Sequence, residues 1–205
     1  MWREINDIGI TGKPADVESN TLAKFPYSEE WYTEDVAPIM EEAIRRHGKE
    51  EWRACVLTNE MHGHLGIYSI IGVKMGMLAL ELLDTERDTL KVISYTGSTP
   101  PFSCLNDGIQ VSTGATTGHG TIKVINDTRP MVRAVFSLRD CELIIQLKEE
   151  YLQKAEETIR NGRTFLPVSE EMYWKMVRQN GLEFWLEWDR YKIFEYKKAI
   201  LPDRS

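Results

Sequence analysis

The segment NEMHGHLGIYSIIGVKMG, residues 59 to 76, carries two of the chain's four histidines with one glycine between them. In an extended backbone, side chains two positions apart leave the same face, so His62 and His64 could meet one ion. Gly63 lets the chain turn tightly between them. A soft or borderline divalent metal accepts imidazole nitrogens at roughly 2.0–2.1 Å and wants one or two further ligands. Cys104 is the leading third ligand, because it follows Pro100-Pro101 and precedes a helical pattern, where free amides and the helix dipole favour a thiolate. The same character would suit a nucleophile or a redox-sensitive thiol, so Cys104 is also a candidate catalytic residue. His119, flanked by Gly118 and Gly120, is a candidate fourth ligand, acid–base group or anion contact. Asp107 and Gln110, on the helix that Cys104 opens, are placed to orient the imidazoles. Without a metal, that helix and the glycine-rich turn around Gly118 could instead hold an anionic or flat small molecule.

The elements that must position these residues follow from hydrophobic period and punctuation. Residues 1–33 show neither period and read as an irregular N-terminal arm. Thr33 to His47 has a Thr cap, early acids, late bases and a closing Gly48, which predicts a helix. Residues 52–58 look like a short strand. Ile67 to Leu83 repeats apolar residues at spacings of three and four on nearly every side, which predicts a buried helix. Residues 90–97 read as a strand and Leu105 to Thr113 as a helix ending in a glycine-rich exit. The runs at 120–127 and 131–138 suit a hairpin, and Asp140 to Gly162 a long capped helix. Residues 169–198 predict one or two helices broken near Asn180-Gly181. The aromatics there, Trp174, Phe184, Trp185, Trp188 and Tyr191, are expected to cover apolar surface or build a dimer contact. Cys55, Cys141 and the Met61, Met75 and Met77 cluster read as packing residues.

Together these elements predict an α+β fold with a mixed sheet, its core at 52–162 within a domain spanning 1–163, followed by an aromatic-rich helical extension at 164–205. Apolar residues make up 42% and charged residues 28% of the 205, an ordinary globular composition. A formal charge of −7 argues against nucleic-acid binding, which needs a basic face. The longest nearly uncharged stretch, Leu65 to Leu80, is interrupted by Lys74 and too short to span a bilayer. Three widely spaced cysteines and an acidic start without a signal-peptide run lead to an expected cytoplasmic location.

Three segments carry a likeness to a known family: HGHLGIYSIIGVKMGMLALELL, SCLNDGIQVSTGATTGHGTI, and the stretch after MVRAVFSL. From about His62 to Gly162 the chain resembles the FmdE family, named for a component of formylmethanofuran dehydrogenase. That resemblance implies an α+β fold, a homodimer, and a transition metal near the HGH and cysteine motifs, with His62, His64 and Cys104 at matching positions and Asp107 and Gln110 around them. A divalent ion is therefore expected, zinc first, with nickel or iron as alternatives, acting on an unidentified small molecule. The chain departs from the family pattern at Gly66 and Ala115, where cysteines are usual, at Ile67-Tyr68 in place of Pro-Gly, and at His119 in place of lysine. The C-terminal Cys-x-x-Cys ribbon of some members is absent from the sequence. The expected function is thus a metal-binding FmdE-like protein, a metalloenzyme or an accessory factor. The alternative is a metal-free binding or structural component on the same scaffold.

Overall fold

The computed structural model describes residues 21, 22, 24–126, 129–165, 167 and 169–200. Most of the expected N-terminal arm, residues 1–20, lies outside them, as do residues 201–205 of the expected extension. In chain order the elements are α1 (Met40–His47), α2 (Lys49–His62), α3 (Ile67–Leu82), β1 (Lys91–Ser94), α4 (Leu105–Thr113), β2 (Ile122–Val124), β3 (Arg133–Leu138), β4 (Cys141–Leu147), α5 (Glu149–Arg163), α6 (Glu170–Glu187), α7 (Arg190–Ile193) and β5 (Phe194–Ile200). The strands form one mixed sheet in the order β2-β1-β3-β4-β5, with β1 and β2 parallel and the other pairs antiparallel. This is an α+β fold.

Alternation decides which face of the sheet is covered. Ala134 and Phe136 of β3 and Leu143, Ile145 and Leu147 of β4 are buried, while their neighbours are only half-buried. Against that face lie Ile67, Ile71, Met75 and Leu78 of α3 and Leu105 and Ile109 of α4. The opposite side of α3, Ile70 and Val73, packs with Met40, Trp52, Cys55 and Trp185 from α1, α2 and α6. A helix sandwiched this way must be apolar nearly all round, as its sequence is apart from Ser69, Lys74 and Glu81. The α3–α4 crossing is backbone on backbone. A methyl group on Gly72 would strike the Leu105 carbonyl, and one on Gly108 the Ser69 carbonyl.

Several expectations need correction. Residues 52–58 lie in α2 and form no strand: the buried positions Glu51, Ala54, Cys55 and Thr58 keep helical spacing, but two of them are polar and mask the period. Asp140 does not start a helix, because Leu143, Ile145 and Leu147 point one way in β4 and α5 begins only after Lys148. The run at 120–127 contributes β2, which pairs with β1, so the hairpin partner of β3 is β4. Pro38 sits in a short 3-10 turn, which delays α1 to Met40. Residues 180–181 do not interrupt α6, and the C-terminal segment ends in a strand, β5, that joins the main sheet.

Arg190 ties that segment down. It donates to Glu51 at 3.0 Å and Glu81 at 2.5 Å, while the fully buried Lys74 donates to the other Glu51 oxygen at 2.6 Å. Lys74 and Glu51 are both 0% exposed, so each charge is matched inside the core.

Candidate functional site

Three element ends converge on His62. It is the last residue of α2, and the chain then reverses through Gly63, whose φ of 80° is the left-handed conformation glycine allows. The pair therefore sits on a helix end and a turn, not on an extended segment. The reversal still leaves the two imidazole centroids 4.3 Å apart, tilted by 44°. Cys104 ends a short 3-10 turn and caps α4, and Asp107 lies in the first turn of that helix. Close approach of α3 and α4 at Gly72 and Gly108 brings the start of α4 against the end of α2.

Asp107 Oδ2 lies 2.6 Å from His62 Nδ1. The His62 pKa is pushed up to about 9, first by this carboxylate and next by the Cys104 thiol beside the same ring, against the opposing effect of burial. His64 goes the other way: burial and the charge of His62 push its pKa down. The two rings thus favour opposite protonation states at neutral pH, an arrangement suited to proton transfer. Trp174 of α6 lies edge-on to His64 at 4.9 Å, a closer tie to the site than the expected role of covering surface.

The second nitrogen of His62 has different surroundings. Nε2 is buried and has no hydrogen-bond partner among the described residues. A methyl group built on Gly66 would lie 3.3 Å from it and 3.0 Å from Ser69 Oγ, so the glycine leaves space beside the free nitrogen. The Tyr68 hydroxyl and Asn59 Nδ2 are also buried without partners among those residues. An imidazole with one nitrogen fixed by a carboxylate and the other free matches the second-shell pattern of a metal-ligating histidine. Among the described residues, however, no three His, Cys, Asp or Glu side chains are arranged to hold an ion as they stand.

Other candidates gather elsewhere. Gln110 Oε1 accepts the Thr117 N–H at 3.1 Å, so it pins the glycine-rich turn and leaves the imidazoles alone. His119 is exposed in that turn, with Nδ1 3.3 Å from the Gly114 carbonyl oxygen and its own N–H donated to Thr116 Oγ1. Gly118 is exposed beside it. Gly118 and His119 sit past the C-terminal end of α4, about 13 Å along its axis from Cys104, and Gln110 reaches their turn from within the helix. Sequence reading missed Tyr68 and Asn59. Asn59 shares a face with His62 only once residues 49–62 are known to be helical.

A family model described as FmdE, molybdenum formylmethanofuran dehydrogenase operon, matches residues 61–195. The chain belongs to the FmdE family. The FmdE match opens one residue before His62 and runs into β5, so it takes in Cys104, Asp107 and the aromatic α6. A relative from Archaeoglobus fulgidus, named "Probable S-adenosyl-L-methionine-binding protein", is 25% identical over 175 residues, 72% of this chain and 47% of the relative. The chain thus spans about half the length of that curated relative. The crystal structure of a tungsten formylmethanofuran dehydrogenase FmdE-like protein from Syntrophus aciditrophicus aligns at 20% identity with a TM-score of 0.40, covering 70% of this chain and 68% of that one. Among the described residues no helix is long and apolar enough to cross a membrane.

Proposed function

We propose that this chain is a transition-metal-binding member of the FmdE family, a metalloenzyme or an accessory factor for a metal cofactor, acting as a cytoplasmic homodimer on a small molecule. The observation that carries the reading is the buried, unpartnered Nε2 of His62, whose other ring nitrogen is held by Asp107. Nε2, the adjacent Cys104 thiol and His64 would hold the ion, zinc first, with nickel or iron as alternatives. One imidazole pair and one thiolate suit such borderline metals. Three donors are not preassembled, so they would close around the ion on binding, as ligands that must first lose protons commonly do.

When bound, such an ion polarises a carbonyl or activates water. The chain's own residues supply the rest. Asp107 fixes the tautomer of His62 and keeps Nε2 turned inward. Cys104, at the N-cap position of α4, brings its thiol beside the His62 ring. His64, held neutral by burial and by the charge of His62, keeps the protonation state that a ligand needs. Metal analysis of protein purified without a nickel column tests the proposal: near-stoichiometric metal is expected, lost in His62→Ala. Unchanged metal content in that variant would reject it.

The Asp107–His62–Cys104 grouping favours one second reading, a metal-free thiol activated by an imidazole and its orienting carboxylate. Alkylation of Cys104 by iodoacetamide separates the two. A bound metal should slow it until chelator is added, whereas a metal-free relay is indifferent to chelator and slows in Asp107→Asn.

A further inference from the structure

His64 has a second neighbourhood that the ion site does not use. Trp31, Tyr32, Thr33 and Val36, with the end of α2 and the α6 residues Arg178 and Trp185, line an open cavity of about 250 Å³ that reaches His64. A second cavity, of about 380 Å³, continues from His64 and Arg178 along Trp174. Two residues lining the first hold hydrogen-bond donors with nothing to donate to. Trp185, only 2% exposed, has a buried Nε1–H without an acceptor among the described residues, and so does Asn59 at Nδ2. The indole stacked on Trp185 at 4.4 Å gives the contrast: Trp52 donates its Nε1–H to the Tyr32 hydroxyl at 3.0 Å. A buried donor left unpaired is a standing penalty, which an acceptor carried in by a ligand would remove.

The charge of the lining selects the class of ligand. Arg178, its one Lys or Arg among the described residues, is already committed, donating to Asp35 at 2.5 and 2.8 Å and to Thr33 Oγ1 at 2.8 Å. Glu60 adds a negative charge. A carboxylate or phosphate would enter against that charge with no free cation to receive it among those residues. Trp31, Tyr32 and Trp185 provide flat apolar walls instead, and the volume suits one or two fused rings.

We propose that this cavity binds a neutral, planar heterocycle bearing a ring carbonyl, a lactam, whose oxygen accepts from Trp185 Nε1–H and Asn59 Nδ2–H beside His64. The inference deepens the function proposed above by naming a substrate class. It rests on that reading for the ligand's reaction, and binding itself requires no ion.

The test uses 2-quinolone, a neutral bicyclic lactam, titrated into the ¹⁵N-labelled full-length chain before and after chelation, with benzoate as a planar anion for comparison. The Trp185 indole N–H resonance, assigned by its absence in Trp185→Phe, is expected to move on addition of 2-quinolone. Trp185→Phe should weaken binding about 5-fold, the scale of one neutral hydrogen bond. Trp31→Ala, at a side chain 70% exposed and therefore safe for folding, should weaken it as well. An unmoved Trp185 resonance, unchanged affinity in both variants, or benzoate binding as tightly as 2-quinolone would overturn the inference. Protein that carries no metal as purified yet binds 2-quinolone defeats only the ion site; protein that carries metal as purified yet ignores 2-quinolone defeats only this cavity.

Discussion

At His62 the two ring nitrogens do different jobs, and substitution can separate them. Asp107→Asn removes the carboxylate 2.6 Å from Nδ1 while leaving every candidate metal donor in place. Loss of such an orienting partner weakens metal binding about 10- to 100-fold, and competition with a chelating dye would measure it. An affinity equal to the native protein's would mean that Asp107 orients nothing. A second residue-scale expectation concerns pH. The Arg178 guanidinium beside Asp35 holds its carboxyl well below the usual carboxylate range. A depressed folded-state pKa contributes stability above the unfolded value, near pH 4, and loses it as pH falls further. Because the pair is partly exposed, Asp35→Asn should cost up to about 1 kcal/mol at pH 7. The gap in melting temperature between native and variant should narrow toward pH 3, and a gap that stays constant would contradict the assignment.

At the scale of elements, the α3–α4 crossing sets the site, since it brings Cys104 and Asp107 to the end of α2. Gly108→Ala puts a methyl group into the Ser69 carbonyl, so the helices must part, at a cost of about 1–3 kcal/mol or more. Urea denaturation measures it, and a neutral effect would show that the crossing tolerates separation. The sequence reveals α3 and α4 because their apolar spacing is regular, and it reveals β1 and β3 because each is short and bounded by turn residues. α2 stays hidden because its buried face includes Glu51 and Thr58, which look solvent-facing until Lys74 and Arg190 are placed opposite Glu51. β4 is masked by the acidic residues around it, which resemble helix caps. For the site, His62, His64, Cys104 and Asp107 stand out by type and spacing. That Gln110 and His119 serve a turn at the far end of α4 is not legible, because the direction of a side chain along a helix depends on what packs against it.

Across the whole molecule, Arg190 and Lys74 on Glu51 join the C-terminal segment to α2 and α3. Glu51→Gln would leave two buried cations short of their partner, and breaking such a cluster costs about 3–5 kcal/mol. A chemical-denaturation midpoint equal to the native one would remove this network from the account of stability. The same packing keeps α6 beside α2, so that Trp174 meets His64 and Trp185 lines the cavity beside Trp31. The most direct test of the central claim is anomalous diffraction from native crystals at the zinc, nickel and iron absorption edges. The account predicts a peak bonded to both His62 Nε2 and Cys104 Sγ, with Asp107 still on Nδ1. A map without a peak there, or with an ion bound by neither atom, would contradict it.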